Sequence, residues 1–331
     1  MKFVFPILLL LLLALLVFVS DWCFKHLLWR LLSHRTAAYV RIGAFVVLWG
    51  GIILAIVHGN RVTRFALHTE PVEIASSHLP RSFDGFRIAQ ISDIHLEQLS
   101  SERGHEFVNT LVDSLIALRP DAILFTGDLV TLHSAEADAF APTLARLGQS
   151  GIPIYSVMGN HDYADYMATA SQRWRIADRR RLMDMQRSWG WRLLNNERAI
   201  VGRGNDSIQI VGVENIGEPP FSTYGNLAQA MGSLTSADST FTIVLSHNPT
   251  HWRREILPNT RADLTLSGHT HAMQLRVAGW SPVAWRYKEW GGLYTEGTQH
   301  LYVNTGIGTV GFPFRIGVPP EITLITLRHK A

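Results

Sequence analysis

The chain has 331 residues, 47% hydrophobic and 17% charged, with 30 Lys and Arg against 27 Asp and Glu and a formal net charge of +3. That length holds one large domain plus an appendage, and a charge so close to balance, with no long basic run, argues against a nucleic-acid partner. A single cysteine, Cys23, excludes intrachain disulfides and a cysteine-built structural metal site.

Residues 3–19 form an almost unbroken apolar run, and a second, 42–57, follows a basic stretch. At 1.5 Å of rise per residue each covers about 25 Å, a little short of the roughly 30 Å hydrocarbon core. Ala37, Ala38 and Val40 lengthen the second run, with Arg41 reaching for the headgroups. The first run also reads as a signal peptide, being short and opening Met-Lys. No small-x-small cleavage site follows it, however, and a second span stands close behind. The expectation is two retained transmembrane helices, making residues 1–60 a membrane anchor. Between them Trp22, Phe24, Leu27, Leu28, Leu31 and Leu32 recur at 3–4 spacing among Lys25, His26, Arg30, His34 and Arg35, as an interfacial helix or a plain loop. The basic residues of this connection lean it towards the cytoplasm. The rest of a two-pass cell-membrane protein then lies on the outer or periplasmic side.

Residues 61–84, with Pro71 and Pro80, read as a linker, and 85–331 as the soluble domain. There 86–92, 122–126 and 153–158 have strand character. Residues 102–118, with Val108, Leu111, Val112, Leu115 and Ile116 on one side, and 135–147 have helical spacing. This βαβαβ order implies parallel pairing with right-handed crossovers. The second half is richer in strands (207–213, 241–245, 263–266, 300–304 and 321–327), with a helical interruption at 226–234. Two packed sheets with helices outside make the expected fold an α/β, four-layer αββα sandwich.

Five polar clusters punctuate this pattern: Asp93-Ile94-His95, Gly127-Asp128, Gly159-Asn160-His161-Asp162, Ser246-His247 and Gly268-His269-Thr270-His271. Asp93, Asp128 and Asn160 stand one βα unit apart, and side chains at the carboxyl ends of parallel strands converge in one crevice. If the extended geometry persists, Asp93 and His95 leave the same side, as do His269 and His271. Asp128, after the tight turn allowed by Gly127, can bridge two cations, and Asn160 offers a neutral oxygen. Singly each cluster has a plain reading: Gly-Asp is usually a turn, and His247 before Asn248-Pro249 caps a helix. Together, carboxylates, imidazoles and an amide without cysteine point to a hydrolytic centre of two metals.

The clusters resemble the signature of the calcineurin-like metallophosphoesterase superfamily, D-x-H, G-D, G-N-H-D, H and G-H-x-H, over about residues 85–328. The apolar segments ahead, with Asn304-Thr-Gly-Ile-Gly-Thr309 and Pro320-Glu-Ile322, are similar to its membrane-associated phosphodiesterase branch. The resemblance implies one divalent metal on Asp93, His95, Asp128 and His271, and another on Asp128, Asn160, His247 and His269. It also implies metal-activated hydroxide as nucleophile, His161 as the general acid on the leaving oxygen, and Asp162 orienting its ring. An imidazole-rich set without glutamate fits Mn, Fe or Zn better than Ca. One departure is Ala272-Met273-Gln274, where the family commonly has Gly-Gly-Gln. The ligands are untouched, but the added side chains reshape the rim or restrict its backbone.

Two further stretches have open readings. Arg173, Arg175, Arg179, Arg180, Arg181 and Arg187, with Trp174 and Trp189, either guide an anionic lipid or form a solvated helix face. Trp280, Trp285, Tyr287, Trp290 and Tyr294 either line an apolar rim or pack a β-extension. The expected function is a membrane-anchored, two-metal phosphoesterase cleaving phosphodiester or pyrophosphate bonds, with phospholipid or nucleotide-linked lipid as substrate class. The alternatives are a broad-specificity phosphomonoesterase and a non-catalytic receptor for phosphate ligands.

Overall fold

The computed structural model describes residues 17–19, 21, 22, 26, 34–218, 221–232 and 240–330. Helix α1 (His34–Arg61) has 28 residues and so extends about 42 Å. Many of its apolar side chains are exposed: Tyr39, Val47 and Leu54 are 76, 75 and 69% exposed. Among the described residues it is the one helix long and apolar enough to cross a membrane, judged by length and composition. The first apolar run, except 17–19, and most of the 22–35 connection lie outside the described residues.

The stretch expected as a linker contains a strand. β1 (His68–Ser76) runs parallel to β12 (Glu321–His329), from His68 opposite Glu321 to Ser76 opposite His329. Pro71 argued against a strand, but β1 is the sheet edge, where a missing N–H costs no ladder bond. Val72, Ile74 and Ser76 turn inward between exposed Glu73 and Ala75.

One six-stranded sheet has the order β1-β12-β2-β3-β4-β5. In it β2 (Arg87–Ile91), β3 (Ala122–Phe125), β4 (Ile154–Ser156) and β5 (Arg192–Leu193) are parallel, and β12 is antiparallel to β2. The other sheet is built from β6 (Glu197–Arg203), β7 (Asp206–Val213), β8 (Thr242–Ser246), β9 (Leu264–Ser267), β10 (Gly292–Glu296) and β11 (Gln299–Val303). Its order is β10-β11-β9-β8-β7-β6, parallel inside and antiparallel at both edges.

Side-chain alternation along these strands builds two faces. Ile88, Leu124, Ile243, Leu245, Leu266 and Tyr302 fill the space between the sheets. Ile123 and Phe125 turn outward onto α2 (Glu102–Leu118), α3 (Ala141–Gly148) and α4 (Gln172–Ser188), meeting Val108, Leu111, Leu144 and Leu182. Val244, Leu301 and Val303 cover the far face with Trp252, Ile256 and Leu227 of α5 (Leu227–Met231). The result is a mixed α/β sandwich of two sheets. The helix expected over 135–147 is split: a 3₁₀ segment covers Ser134–Phe140 and α3 starts at Ala141, because Pro142 lacks the N–H an uninterrupted helix needs.

Candidate metal centre

Beyond β2 the backbone does not stay extended. Asp93 and His95 have φ of 54° and 48°, Asp128 58°, and His269 and His271 74° and 50°. Left-handed kinks, rather than strand alternation, therefore aim each pair at the centre. Each costs about 1–2 kcal/mol, and specific bonds hold it: Asp93 N donates to Gly127 O at 2.8 Å and His95 N to Asp128 O at 3.2 Å. The His269 N–H donates to the Asp93 carboxylate at 3.0 Å. A Cβ at Gly159 would overlap the Asp128 carboxylate, and one at Gly268 the Asp93 carboxylate. Gly159 stands where the carboxylate after β3 packs on the backbone after the neighbouring β4, and Gly268 where the carboxylate after β2 packs on the other sheet's backbone after β9.

The seven side chains expected as metal ligands meet here. The ligand atoms of Asp93, His95 and His271 lie within 4.8 Å of one another, and so do those of Asp128, His247 and His269. Asp128 faces both groups, with Oδ2 3.2 Å from His247 Nε2 and 3.6 Å from His95 Nε2. Asn160 Oδ1 stands 3.0 Å from His247 Nε2 and 2.7 Å from His269 Nδ1.

The donor atoms fit divalent cations. His95 and His271 turn their Nε2 atoms to each other at 3.1 Å, and His247 Nε2 meets His269 Nδ1 at 3.2 Å. Several lone pairs thus converge where a cation would satisfy them together. The far nitrogens are anchored, as ligand imidazoles require. His247 Nδ1 lies 2.8 Å from Thr126 O, His269 Nε2 2.9 Å from Tyr287 Oη, and His95 Nδ1 3.3 Å from Thr131 Oγ1. The Thr126 carbonyl only accepts, so His247 carries a proton on Nδ1 and Nε2 is the nitrogen turned to the centre. Asn160 Nδ2 donates to Tyr166 Oη at 2.9 Å, which turns the amide oxygen inward.

Charge state agrees for the two carboxylates and for His95 and His269. Burial by itself would raise both carboxyls, yet His271 beside Asp93, and His247 beside Asp128, hold them below the usual carboxylate range. Burial lowers His95 strongly and takes His269 down to about 3, helped by charge on His247. His247 is the exception, pushed up to about 9 against its burial, chiefly by Asp128, so it would have to release a proton to take a metal ion. Ionised carboxylates and neutral imidazoles are the forms that bind metal.

Asp162 does not orient His161, contrary to expectation. Its buried carboxylate accepts the N–H groups of Asp128, Leu129 and Gly159 at 2.9 Å and of Val130 at 3.1 Å. The 3₁₀ turn Asn160–Tyr163 sends consecutive side chains different ways, and Asp162 points into the Asp128 loop. Burial first, then the Asp128 charge, pushes it up to about 7. His161 is held instead by Thr131 O, 2.6 Å from Nδ1, and by stacking on Tyr166 with ring centres 4.4 Å apart.

Thr131, Tyr166 and Arg315 carried no signal in the sequence, and Tyr287 was noticed only as one of several aromatics. Arg315 is fully buried. It donates to the carbonyls of Thr305, Gly308 and Val318, and Nη2 lies 3.2 Å from His271 Nδ1. It thereby pins the loop whose Ile307 and Gly308 N–H groups bond Ser92 O and Asp93 O at 2.9 and 2.7 Å. The basic helix α4 is largely occupied locally: Arg175 bonds Met167 O, Arg181 pairs with Asp138 and Arg187 with Asp184.

Ala272, Met273 and Gln274 have φ of 46°, 52° and 55°, so side chains stand in a left-handed turn suited to glycine. Met273 is 42% exposed and has little packing to lose. Met273→Gly is expected to raise unfolding stability by about 1 kcal/mol, read from urea unfolding of the metal-loaded protein. A loss of that size would mean the thioether packs more than its exposure indicates.

The model of the family described as calcineurin-like phosphoesterase matches residues 86–273. "Uncharacterized metallophosphoesterase YkuE" of Bacillus subtilis (strain 168) is 29% identical over 272 residues, 79% of this chain and 86% of that one. "Phosphodiesterase YaeI" of Escherichia coli (strain K12) is 28% identical over 257 residues, 73% and 82% of the two chains. "UDP-2,3-diacylglucosamine pyrophosphatase LpxG" of Chlamydia trachomatis serovar D is 26% identical over 322 residues, covering 80% of this chain and 93% of that one.

Proposed function

The chain belongs to the calcineurin-like phosphoesterase family of metal-dependent hydrolases, and from that premise we propose a membrane-anchored, two-metal phosphodiesterase or pyrophosphatase acting on lipid-linked phosphoesters. The observation that carries this is the approach of two buried ligand clusters to one shared carboxylate, Asp128. Asp93, His95, Asp128 and His271 would hold one Mn, Fe or Zn ion, and Asp128, Asn160, His247 and His269 the other. Bound there, such a pair supplies Lewis acidity to the phosphoryl oxygens and lowers the pKa of water.

The chain's own residues supply the remainder. Thr131 O accepts from His161 Nδ1, so the ring's other nitrogen is the one that hands a proton to the departing oxygen. Tyr166 restrains rotation of that ring by stacking. Asp162 acts on the centre indirectly, clamping four backbone N–H groups and with them the position of Asp128. Phosphodiesters and pyrophosphates are favoured over monoesters because of the named activities of the YaeI and LpxG relatives. The lipid-linked preference adds the exposed apolar helix α1 as an anchor, and the basic residues between the two apolar runs favour the outer or periplasmic side for the domain.

The full-length protein, stripped with chelator and supplied with Mn²⁺, Fe²⁺ or Zn²⁺, is expected to cleave bis(p-nitrophenyl) phosphate faster than p-nitrophenyl phosphate. Preference for the monoester would establish a broad phosphomonoesterase in its place. Absence of turnover with all of these metals would leave a phosphate-binding receptor.

A further inference from the structure

The apolar part of α1 ends at Val57, and His58, Asn60 and Arg61 mark the headgroup level of a span. At that level α1 is packed directly on the domain. Arg315 N donates to Gly59 O at 3.2 Å, and Asn60 and Arg64 side chains donate to Pro313 O. A Cβ on Gly59 would come within 2.7 Å of Arg315 O, so the contact is tight. Ile316, next in the chain, is bonded to a second segment: Arg276 N donates to Ile316 O and Ile316 N to Gln274 O, both at 2.8 Å.

From Arg276 the chain projects outward. Val277 and Trp280 exchange backbone bonds at 2.9 and 3.0 Å, closing a turn, and the Trp280 and Trp285 rings meet edge to face at 5.2 Å. Val277, Trp280 and Trp285 are 61, 46 and 84% exposed. Ser281 Oγ, bonded to Ala272 O at 2.7 Å, stiffens the protrusion. Both its ends lie at the metal centre, since it leaves from His271 and returns at Tyr287, whose hydroxyl touches His269.

Two exposed tryptophans beside the end of an apolar span have the composition and position of an interfacial anchor, with large apolar rings and a polar N–H at the headgroup layer. We propose that residues 272–286, led by Val277, Trp280 and Trp285, seat in the bilayer interface beside α1 and hold the mouth of the metal centre at the lipid surface. The seat thereby favours phosphoesters whose apolar part stays in the bilayer while the phosphoryl group reaches Asp128. This rests on the membrane-anchored hydrolase reading above.

The test uses full-length protein in phosphatidylcholine–phosphatidylglycerol vesicles. In a Cys23→Ser background, Trp285→Cys and, as a distant control on β6, the 65%-exposed Ile200→Cys carry an environment-sensitive fluorophore. Nitroxide-labelled lipid is expected to quench the label at 285 and leave that at 200 nearly untouched. Equal, weak quenching at both overturns the proposal, as does a label at 285 shielded by a second copy of the chain instead of by lipid. In parallel, Trp280→Ala/Trp285→Ala is expected to slow cleavage of vesicle-embedded hexadecyl p-nitrophenyl phosphate about tenfold, with bis(p-nitrophenyl) phosphate in water unaffected. Equal losses on both substrates count against the seat. If the wild type cleaves neither substrate, the hydrolase reading fails, and the quenching result still decides whether the protrusion meets lipid.

Discussion

Replacing Asp128 by Asn is expected to reduce phosphodiester turnover by at least about 10³-fold and to cut the metal content of the purified protein from two ions to one. The reason is charge. Asp128 is the only anion among Asp128, Asn160, His247 and His269, so the variant leaves that position with neutral ligands alone. Asp93 still serves its own cluster. The fold survives, because the amide oxygen keeps the bond that Asp128 Oδ1 accepts from His161 N at 2.9 Å. Metal analysis and thermal unfolding with and without chelator check this. Ligand binding stabilises the native state by mass action, so chelation should lower the melting temperature of the wild type more than that of the variant. Two ions retained with activity near wild type would sink the shared-carboxylate reading.

His161→Ala is expected to give the second-largest effect and a different signature. Turnover of an alkyl phosphodiester should fall about 10²–10⁴-fold, the usual contribution of a general acid, with metal content unchanged. The side chain is held by Thr131 O and Tyr166 rather than by the clustered ligand atoms, so its loss need not empty the centre. With a nitrophenyl ester, whose leaving group departs as a stable anion without a proton, the deficit should shrink markedly. An equal deficit for both leaving groups, or loss of metal, would remove His161 from the acid role.

The chemistry-bearing clusters were legible from the sequence because metal ligands at strand ends combine two short-range signals, an apolar run and a polar motif after it. The runs ending at Ile91, Phe125, Ser246 and Ser267 have that form, and all precede residues of the centre. Edge strands were harder. β1 carries Pro71 and exposed glutamates, and only its pairing with β12, some 250 residues later, makes it a strand. The geometry behind the ligands was out of reach for a related reason. Asp162 sits next to His161 in the chain, and the family resemblance implied a carboxylate–imidazole pair. The backbone turn sends it to donors 32 to 34 residues earlier, while Thr131, 30 residues away, takes the imidazole.

What the sequence determined by itself was the repertoire: alternating strands and helices, the polar clusters that supply the seven candidate ligands and the neighbouring His161, and an apolar helix ahead of the domain. These follow from local periodicity and residue chemistry, which the chain carries at short range. The tertiary structure alone decided which nitrogen of each histidine faces the centre, that Asp128 looks both ways, that Arg315 links the helix end to His271, and that the Trp280 turn projects beside α1. Those depend on contacts closed across long loops, where packing and backbone hydrogen bonds choose one orientation among several that the same residues allow.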